Sequence, residues 1–366
     1  MGVAKARAGS IRAMTRQTWT AAVSALIFVI SAAVLAMTPV PFVTYAPGAT
    51  FDVLADAQQP PIDIAGAPSY AATGSLLIAS TSVTRPDAPV SLPEVLYAHA
   101  APDREVFPRD AVYAAGATNA EIRSKEVAQL GAAQSDAAAA ALRAAGFPVR
   151  QVPMVQSVAQ TGPAADKLFP GDFVLEIDGV ATATTAAVRA QIEKRAIGDP
   201  VTFTVQRDLP DGTRGRLSVK IDTTASKTQA SLPVWGGNLT MGYSYEPRIT
   251  FHLDSSLGGP TAGLILALGV YDRITADNVI NGRIVSGAGT IDGVGNVAAV
   301  GGIKEKLVSA ERAGAEVFFV PSGNCADMDG VGSHARIVSV STLDDAINAL
   351  DALADPATEG LVKGCT

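Results

Sequence analysis

The feature that most constrains this chain is its start. Lys5, Arg7, Arg12 and Arg16 precede a stretch with no charged residue before Asp52, and 19–37 within it is almost wholly apolar. At about 1.5 Å of rise per residue, a helix over that run is about 28 Å long, close to the hydrocarbon core of a bilayer. The basic flank lies on the N-terminal side, so a cytoplasmic tail over 1–17, a transmembrane helix over 18–38 and export of everything that follows are expected. A cleaved signal peptide is the rival reading, because Ala33 and Ala36 are spaced like a small-residue cleavage site. Pro39 and Pro41 end the helix on either reading.

Export gives meaning to the two cysteines. Cys325 and Cys365 are the only pair, and in an oxidising compartment they are expected to form a disulfide that pins the tail over 354–366. Three histidines, His99, His252 and His334, lie far apart, and no spacing favours a metal site. No cofactor is expected. With 28 basic against 35 acidic residues the net charge is −7, which argues against nucleic acid as a partner.

The region 42–130 carries short strand-like runs such as 75–78 between proline-rich connections, and no catalytic signal. It reads as a structural collar. An alanine-rich helix is expected over 134–145, ending at Gly146. The pattern then changes. Strands are expected over 152–158, 173–178 and 201–207, with a turn at Asp178-Gly179, a helix over 188–192, and a hairpin through Asp211-Gly212 to 217–221. The stretch GPAADKLFPGDFVLEIDGV resembles a PDZ domain of the bacterial type, placed over 131–223. That resemblance implies capture of an extended peptide or a C-terminus by strand addition beside the helix. Residues 224–240 are polar and turn-rich, and read as a linker or hairpin.

Two later segments could carry chemistry. A strand is expected over 249–253. Gly258 and Gly259 permit close backbone approach, Pro260 suits a first helical turn, and an apolar helix follows over 264–271. This puts the hydroxyl of Thr261 at a helix N-terminus, where free N–H groups and the positive dipole end favour a developing oxyanion. A capping residue is the plainer alternative. The second segment is Gly301-Gly-Ile-Lys-Glu-Lys. Helical spacing puts Ile303, Lys306, Leu307, Ala310 and Ala313 on one face, with Lys304 and Glu305 on others. A lysine within an apolar stripe is desolvated, which lowers its pKa and can make it a base for a hydroxyl; a snorkelling lysine is the alternative. Between the two segments, 282–300 reads as two short strands joined by the turn 292–295. A strand over 316–321 and a helix over 343–353 complete the region.

GGPTAG, GTIDGVGNV, GGIKEKL and AGAEVFFVP, in that order, resemble the proteolytic domain of Lon-type peptidases over about 110 residues, placed at 241–353. The whole layout resembles the exported PDZ–Lon proteins of bacteria. The fold class implied is α+β and multidomain: an N-terminal transmembrane helix, a PDZ-like β-barrel and a Lon-type α/β proteolytic domain. The function implied is that of a membrane-tethered, extracytoplasmic, ATP-independent endopeptidase acting on unfolded segments or C-termini of proteins. The resemblance assigns Lys306 as the base and Thr261 as the nucleophile, with Gly259, Pro260 and Ala262 supporting an oxyanion, and it implies homo-oligomeric rings of six. Two residues depart from the family pattern. Thr261 stands where the family has serine, and Ala288 stands where many relatives place a threonine that holds the lysine. Ser255 and Ser256 are the substitute nucleophiles. A catalytically inactive pseudopeptidase that acts through its PDZ domain as a binding or scaffold protein is the competing function.

Overall fold

The computed structural model describes residues 16–209, 213–254 and 259–365. The chain divides into two compact units, Met1–Pro47 with Ser82–Arg123, and Gly48–Thr81 with Ser124–Thr366.

The first unit contains the helix Arg16–Met37, 22 residues with Leu26, Ile27, Phe28 and Val29 all exposed. It is long and apolar enough to cross a membrane. Lys5, Arg7 and Arg12 of its basic flank lie outside the described residues. Pro39–Val40 pairs antiparallel with Val90–Ser91. Ser91 then caps the helix Leu92–Ala100 by accepting the Glu94 N–H at 3.4 Å, with a proline in the first turn.

Among the described residues, the second unit holds strands of two large sheets and three two-stranded pairs. In the first the strand order is Arg214–Asp222, Pro200–Asp208, Phe173–Ile177, Arg150–Val158, Gly237–Ser244, with Val180–Ala181 also folded onto Phe173–Ile177. Alternation places Val201, Phe203 and Val205 inside, where they pack with Val155, Leu168, Val174, Ile177 and Trp235 under the helix Thr185–Ile192. The Pro-Gly-Asp turn has a physical cause. Asp172 is buried, accepts the Phe169 N–H at 2.9 Å, and meets Arg207 through Nε and a terminal nitrogen, both at 2.6 Å. Asp178 and Gly179 take positive φ, 50° and 78°, as a tight hairpin requires. The Asp211-Gly212 turn lies outside the described residues.

Of the two readings of 224–240, linker or hairpin, the structure shows the hairpin. Thr224–Ala225 pairs with Pro233–Val234, and Gly237–Ser244 then runs antiparallel to Arg150–Val158 from Gly237↔Val158 to Ser244↔Arg150. The sheet therefore extends past both expected boundaries, 223 and 241. As an edge strand with one exposed side, 237–244 keeps a polar composition that hides it from pattern reading.

The second sheet is mixed, and its parallel part runs in the order Arg336–Val340, Val317–Pro321, Ile284–Gly287, Ser75–Val83. Val317–Pro321 is buried at every position, as expected for a strand covered on both faces. The helices Gly263–Ile274, Ile303–Arg312 and Leu343–Ala354 accompany it, the last opened by a capping box between Thr342 and Asp345. Ser75–Val83 comes from the expected collar, which is thus divided between the two units. Its Leu76 and Ile78, together with Val53, Leu54 and Ile62, share one core with Leu264, Ile265 and Leu268. The two short strands expected around the turn 292–295 are present, and a further strand precedes them. Ile284–Gly287 belongs to the second sheet, and Thr290–Ile291 and Val297–Ala298 pair across the turn. At the other end Cys325 and Cys365 are bonded, and the Ser339 N–H donates to the Lys363 carbonyl at 2.9 Å, so the tail is held against Arg336–Val340.

Candidate active site

Gly259, Pro260, Thr261 and Ala262 form a 3₁₀ turn that leads into the buried helix Gly263–Ile274. Gly259 has φ of 51°. The turn is clamped by the segment after Ile284–Gly287. The Gly289 N–H donates to the Thr261 carbonyl at 2.9 Å, and the Gly289 carbonyl accepts the Leu264 N–H at 3.1 Å. Gly263 makes this approach possible, because a Cβ there would lie 3.0 Å from Ile291. Thr261 thus sits partly buried at the head of an apolar helix, as expected. Ser255, Ser256 and Gly258 lie outside the described residues.

Lys306 lies in the first turns of Ile303–Arg312, and Ile303, Leu307 and Ala310 of its stripe are buried with it, while Ala313, the last residue of the expected stripe, caps the helix end and is exposed. Lys306 is 4% exposed. Burial brings its amine down from 10.5 to about 8, while the Glu305 carboxylate pulls in the opposite direction. Glu305 was expected off the apolar face, yet it is 1% exposed, so this helix is enclosed on more than one side. The lysine amine donates to Thr81 Oγ1 at 3.1 Å. Ala288 is buried in the same apolar cluster as Ile303 and Leu307 and offers no hydroxyl.

Thr81 is absent from the residues expected at the site, because its region carries no catalytic motif. A weaker signal exists. The apolar run Leu76-Leu-Ile-Ala79 gives way to Ser80-Thr81-Ser82 at the C-terminal end of a parallel strand, the end where sites gather in α/β sheets. Among the described residues no group of three or more His, Cys, Asp or Glu could hold a metal.

A second candidate site lies on the other sheet. A cleft of about 420 Å³ opens between the helix Thr185–Ile192 and the edge strand Gly237–Ser244, lined among others by Arg189, Ile192, Leu232, Trp235, Asn238 and Leu239. The far end of the same strand reaches the turn 292–295. Tyr243 donates to Asp136 at 2.8 Å, and the Arg143 guanidinium lies 5.3 Å over its ring and donates to the Gly293 carbonyl. The Tyr243 ring occupies the space where a side chain at residue 293 would stand. The cleft's edge strand therefore touches the turn that joins Thr290–Ile291 to Val297–Ala298.

Comparison with known proteins agrees with this division. Residues 129–221 match the family model of the PDZ domain, and residues 255–352 match that of the Lon protease (S16) C-terminal proteolytic domain. The chain is 33% identical over 91 residues to the Lon protease of Aster yellows witches'-broom phytoplasma, covering 24% of this chain and 11% of that protein. It is 30% identical over 116 residues to the Lon protease of Mycolicibacterium smegmatis, covering 31% and 15% respectively. The chain thus spans only a small part of the length of these curated relatives. Among solved structures, the PDZ domain of the SdrC-like protein of Listeria monocytogenes is 29% identical, with 24% of this chain and 87% of that chain covered and a TM-score of 0.21. The chain carries a PDZ domain and a Lon-type C-terminal proteolytic domain, which together support a peptidase function.

Proposed function

We propose that this chain is a membrane-tethered, extracytoplasmic endopeptidase that works without ATP and recognises flexible protein segments or C-termini through its PDZ domain. The observation that carries the reading is Lys306: a lysine amine buried inside the matched proteolytic domain and brought down to about 8. At neutral pH and above, a usable fraction of such an amine is uncharged and can accept a proton.

In the proposed reaction the neutral Lys306 amine takes the proton from the Thr261 hydroxyl. The Thr261 alkoxide adds to a peptide carbonyl, and N–H groups of the turn 259–262 receive the oxyanion. Collapse of the intermediate breaks the C–N bond, and the lysine ammonium returns its proton to the leaving amine. Water, deprotonated in turn by Lys306, hydrolyses the ester and regenerates the Thr261 hydroxyl. The threonine methyl narrows the rotamers open to the nucleophile, so Thr261→Ser is expected to be at least as active.

The apolar helix Arg16–Met37 supports the tether, and the Cys325–Cys365 bond supports an oxidising compartment. The cleft beside Gly237–Ser244 has the form that strand addition requires, an exposed edge flanked by side-chain pockets.

The test is turnover of casein and of flexible peptides by the whole chain, compared with Thr261→Ala, Lys306→Ala and Thr261→Ser. The reading requires wild-type cleavage that both alanine substitutions abolish, with kcat/KM rising through about pH 8 as the amine deprotonates. The competing pseudopeptidase reading is favoured by one residue, threonine at position 261. It stands if only Thr261→Ser cleaves.

A further inference from the structure

The lysine of the proposed reaction is held from outside its own segment. Thr81, at the end of Ser75–Val83 and 225 residues before Lys306, accepts a hydrogen bond from the Lys306 amine at 3.1 Å. Its own hydroxyl is directed at the Gly302 carbonyl, 3.4 Å away. A hydroxyl has one proton to give and two lone pairs to receive with. With the proton turned to Gly302, Thr81 meets the lysine only as an acceptor.

That distinction decides what the contact can do. A neutral amine carries two N–H bonds and one lone pair. An acceptor takes one N–H, fixes rotation about the Cε–Nζ bond and leaves the lone pair unshared. A donor in the same place would occupy the lone pair and disable the base. The approach is built into the backbone. Gly302 has φ of 68°, and a Cβ on it would lie 2.7 Å from Thr81 Oγ1. The glycine that opens the lysine helix therefore leaves room for the threonine.

The strand is equally fixed. Ile284–Gly287 pairs with it in parallel from Ile284↔Ser75 to Gly287↔Ile78, and the Ser286 hydroxyl donates to the Leu77 carbonyl at 2.8 Å. One residue after Ala79, Ser80 donates to the Ala49 carbonyl at 2.6 Å. The hydroxyl at position 81 is thus carried by an element that cannot slide along the sheet without breaking these bonds.

We propose that Thr81 is the positioning residue of Lys306: it aims the amine while keeping the lone pair available, and so makes Gly48–Thr81 part of the catalytic apparatus. This rests on the reading of Lys306 as the base.

The experiment uses the whole chain in detergent micelles with Thr81→Val, which keeps the shape and removes the hydroxyl, and Thr81→Ser, which restores it. Two readouts are needed. The first is cleavage of a flexible peptide, separated into kcat and KM. The second is the titration of Lys306 itself, followed by ¹³C NMR of ε-labelled lysine, with the resonance assigned by its loss in Lys306→Met. For Thr81→Val we expect kcat to fall by up to about 100-fold at unchanged KM, as for a misaimed base. The Lys306 midpoint should move down, because the lost hydrogen bond favours the ammonium over the amine. Thr81→Ser should return both toward wild type. An unchanged Lys306 midpoint in Thr81→Val overturns the proposal, whether or not any variant cleaves. Equal losses in both variants would overturn it too, since they would reduce Thr81 to a packing residue. If wild type itself fails to cleave while Thr81→Val still moves the midpoint, the peptidase reading falls and the hold on the amine survives.

Discussion

Replacing Lys306 by methionine separates what the buried amine costs from what it does. The substitution keeps an unbranched apolar stem and removes the titrating group. In the unfolded chain the amine is solvated and titrates at about 10.4. In the folded chain burial brings it to about 8. Between those values the unfolded state binds more protons, so wild-type stability rises with pH across that window. Below it both states are protonated and the fold bears the whole desolvation cost, about 3 kcal/mol at about 1.4 kcal/mol per pKa unit. Above it both are neutral and the cost is gone. Against this, the substitution loses the hydrogen bond to Thr81, about 1 kcal/mol at every pH. Lys306→Met should therefore be more stable than wild type by about 2 kcal/mol at pH 7, and that margin should shrink by about 3 kcal/mol by pH 10.5. Urea unfolding of both proteins in the same detergent, at a series of pH values from 7 upward, reads the margin, because the other titrating groups are shared and cancel, apart from Glu305, which is coupled to the amine. A margin that stays flat over that range refutes a desolvated amine, and with it the base assigned to the reaction.

Other substitutions bear on the same geometry. Gly302→Ala forces an L side chain into φ of 68° and against Thr81 Oγ1, so a loss of about 1–2 kcal/mol is expected together with reduced cleavage; unchanged turnover would count against the site as described. Replacing Cys325 and Cys365 together by serine opens a closure of 40 residues, with an expected loss of about 2–4 kcal/mol in thermal or urea unfolding and early proteolysis after residue 354. Expressing 241–366 alone removes Val53, Leu54, Ile62, Leu76 and Ile78 from the core, about 10 kcal/mol of apolar burial. That is comparable to a domain's whole stability, so the fragment should show no cooperative melt, and a sharp transition would refute the shared core.

Much of this was legible in the sequence where a local period carries the information. Of the expected stripe, Ile303, Lys306, Leu307 and Ala310 repeat with the helix and are buried, whereas Ala313 falls just past the helix end and is exposed. The alternation over Pro200–Asp208 identifies its inward side chains, and the Pro-Gly-Asp and Asp-Gly turns announce themselves by residue type. The failures share a cause. Gly237–Ser244 is a strand only because Arg150–Val158 lies beside it; its first four residues fall in the stretch 224–240 read as linker or hairpin, and its own composition does not announce the pairing. Glu305 is off the helical stripe and still buried, since periodicity reports one covered face and cannot report a second. Ser75–Val83 has the apolar run of any buried strand, and nothing local says which helix faces its end.

The site therefore asks for two things that sequence pattern treats unequally. A basic lysine must be neutral, and neutrality comes from apolar surroundings: Ile303, Leu307 and Ala288 supply it, and a hydrophobic stripe shows it in advance. It must also be aimed. A lysine side chain carries about 2 kcal/mol of rotamer freedom, and burial among methyl groups leaves its amine without a preferred direction. Direction needs a polar partner at a defined place. Alanine at position 288 adds to the apolar cluster and carries no hydroxyl. On the assignment proposed above, Thr81 supplies a hydroxyl from the neighbouring strand, with Gly302 cleared to admit it. The two requirements can then vary independently: substitutions in the apolar cluster should move the pKa of Lys306 and leave its orientation, whereas substitutions at Thr81 and Gly302 should chiefly disturb its orientation.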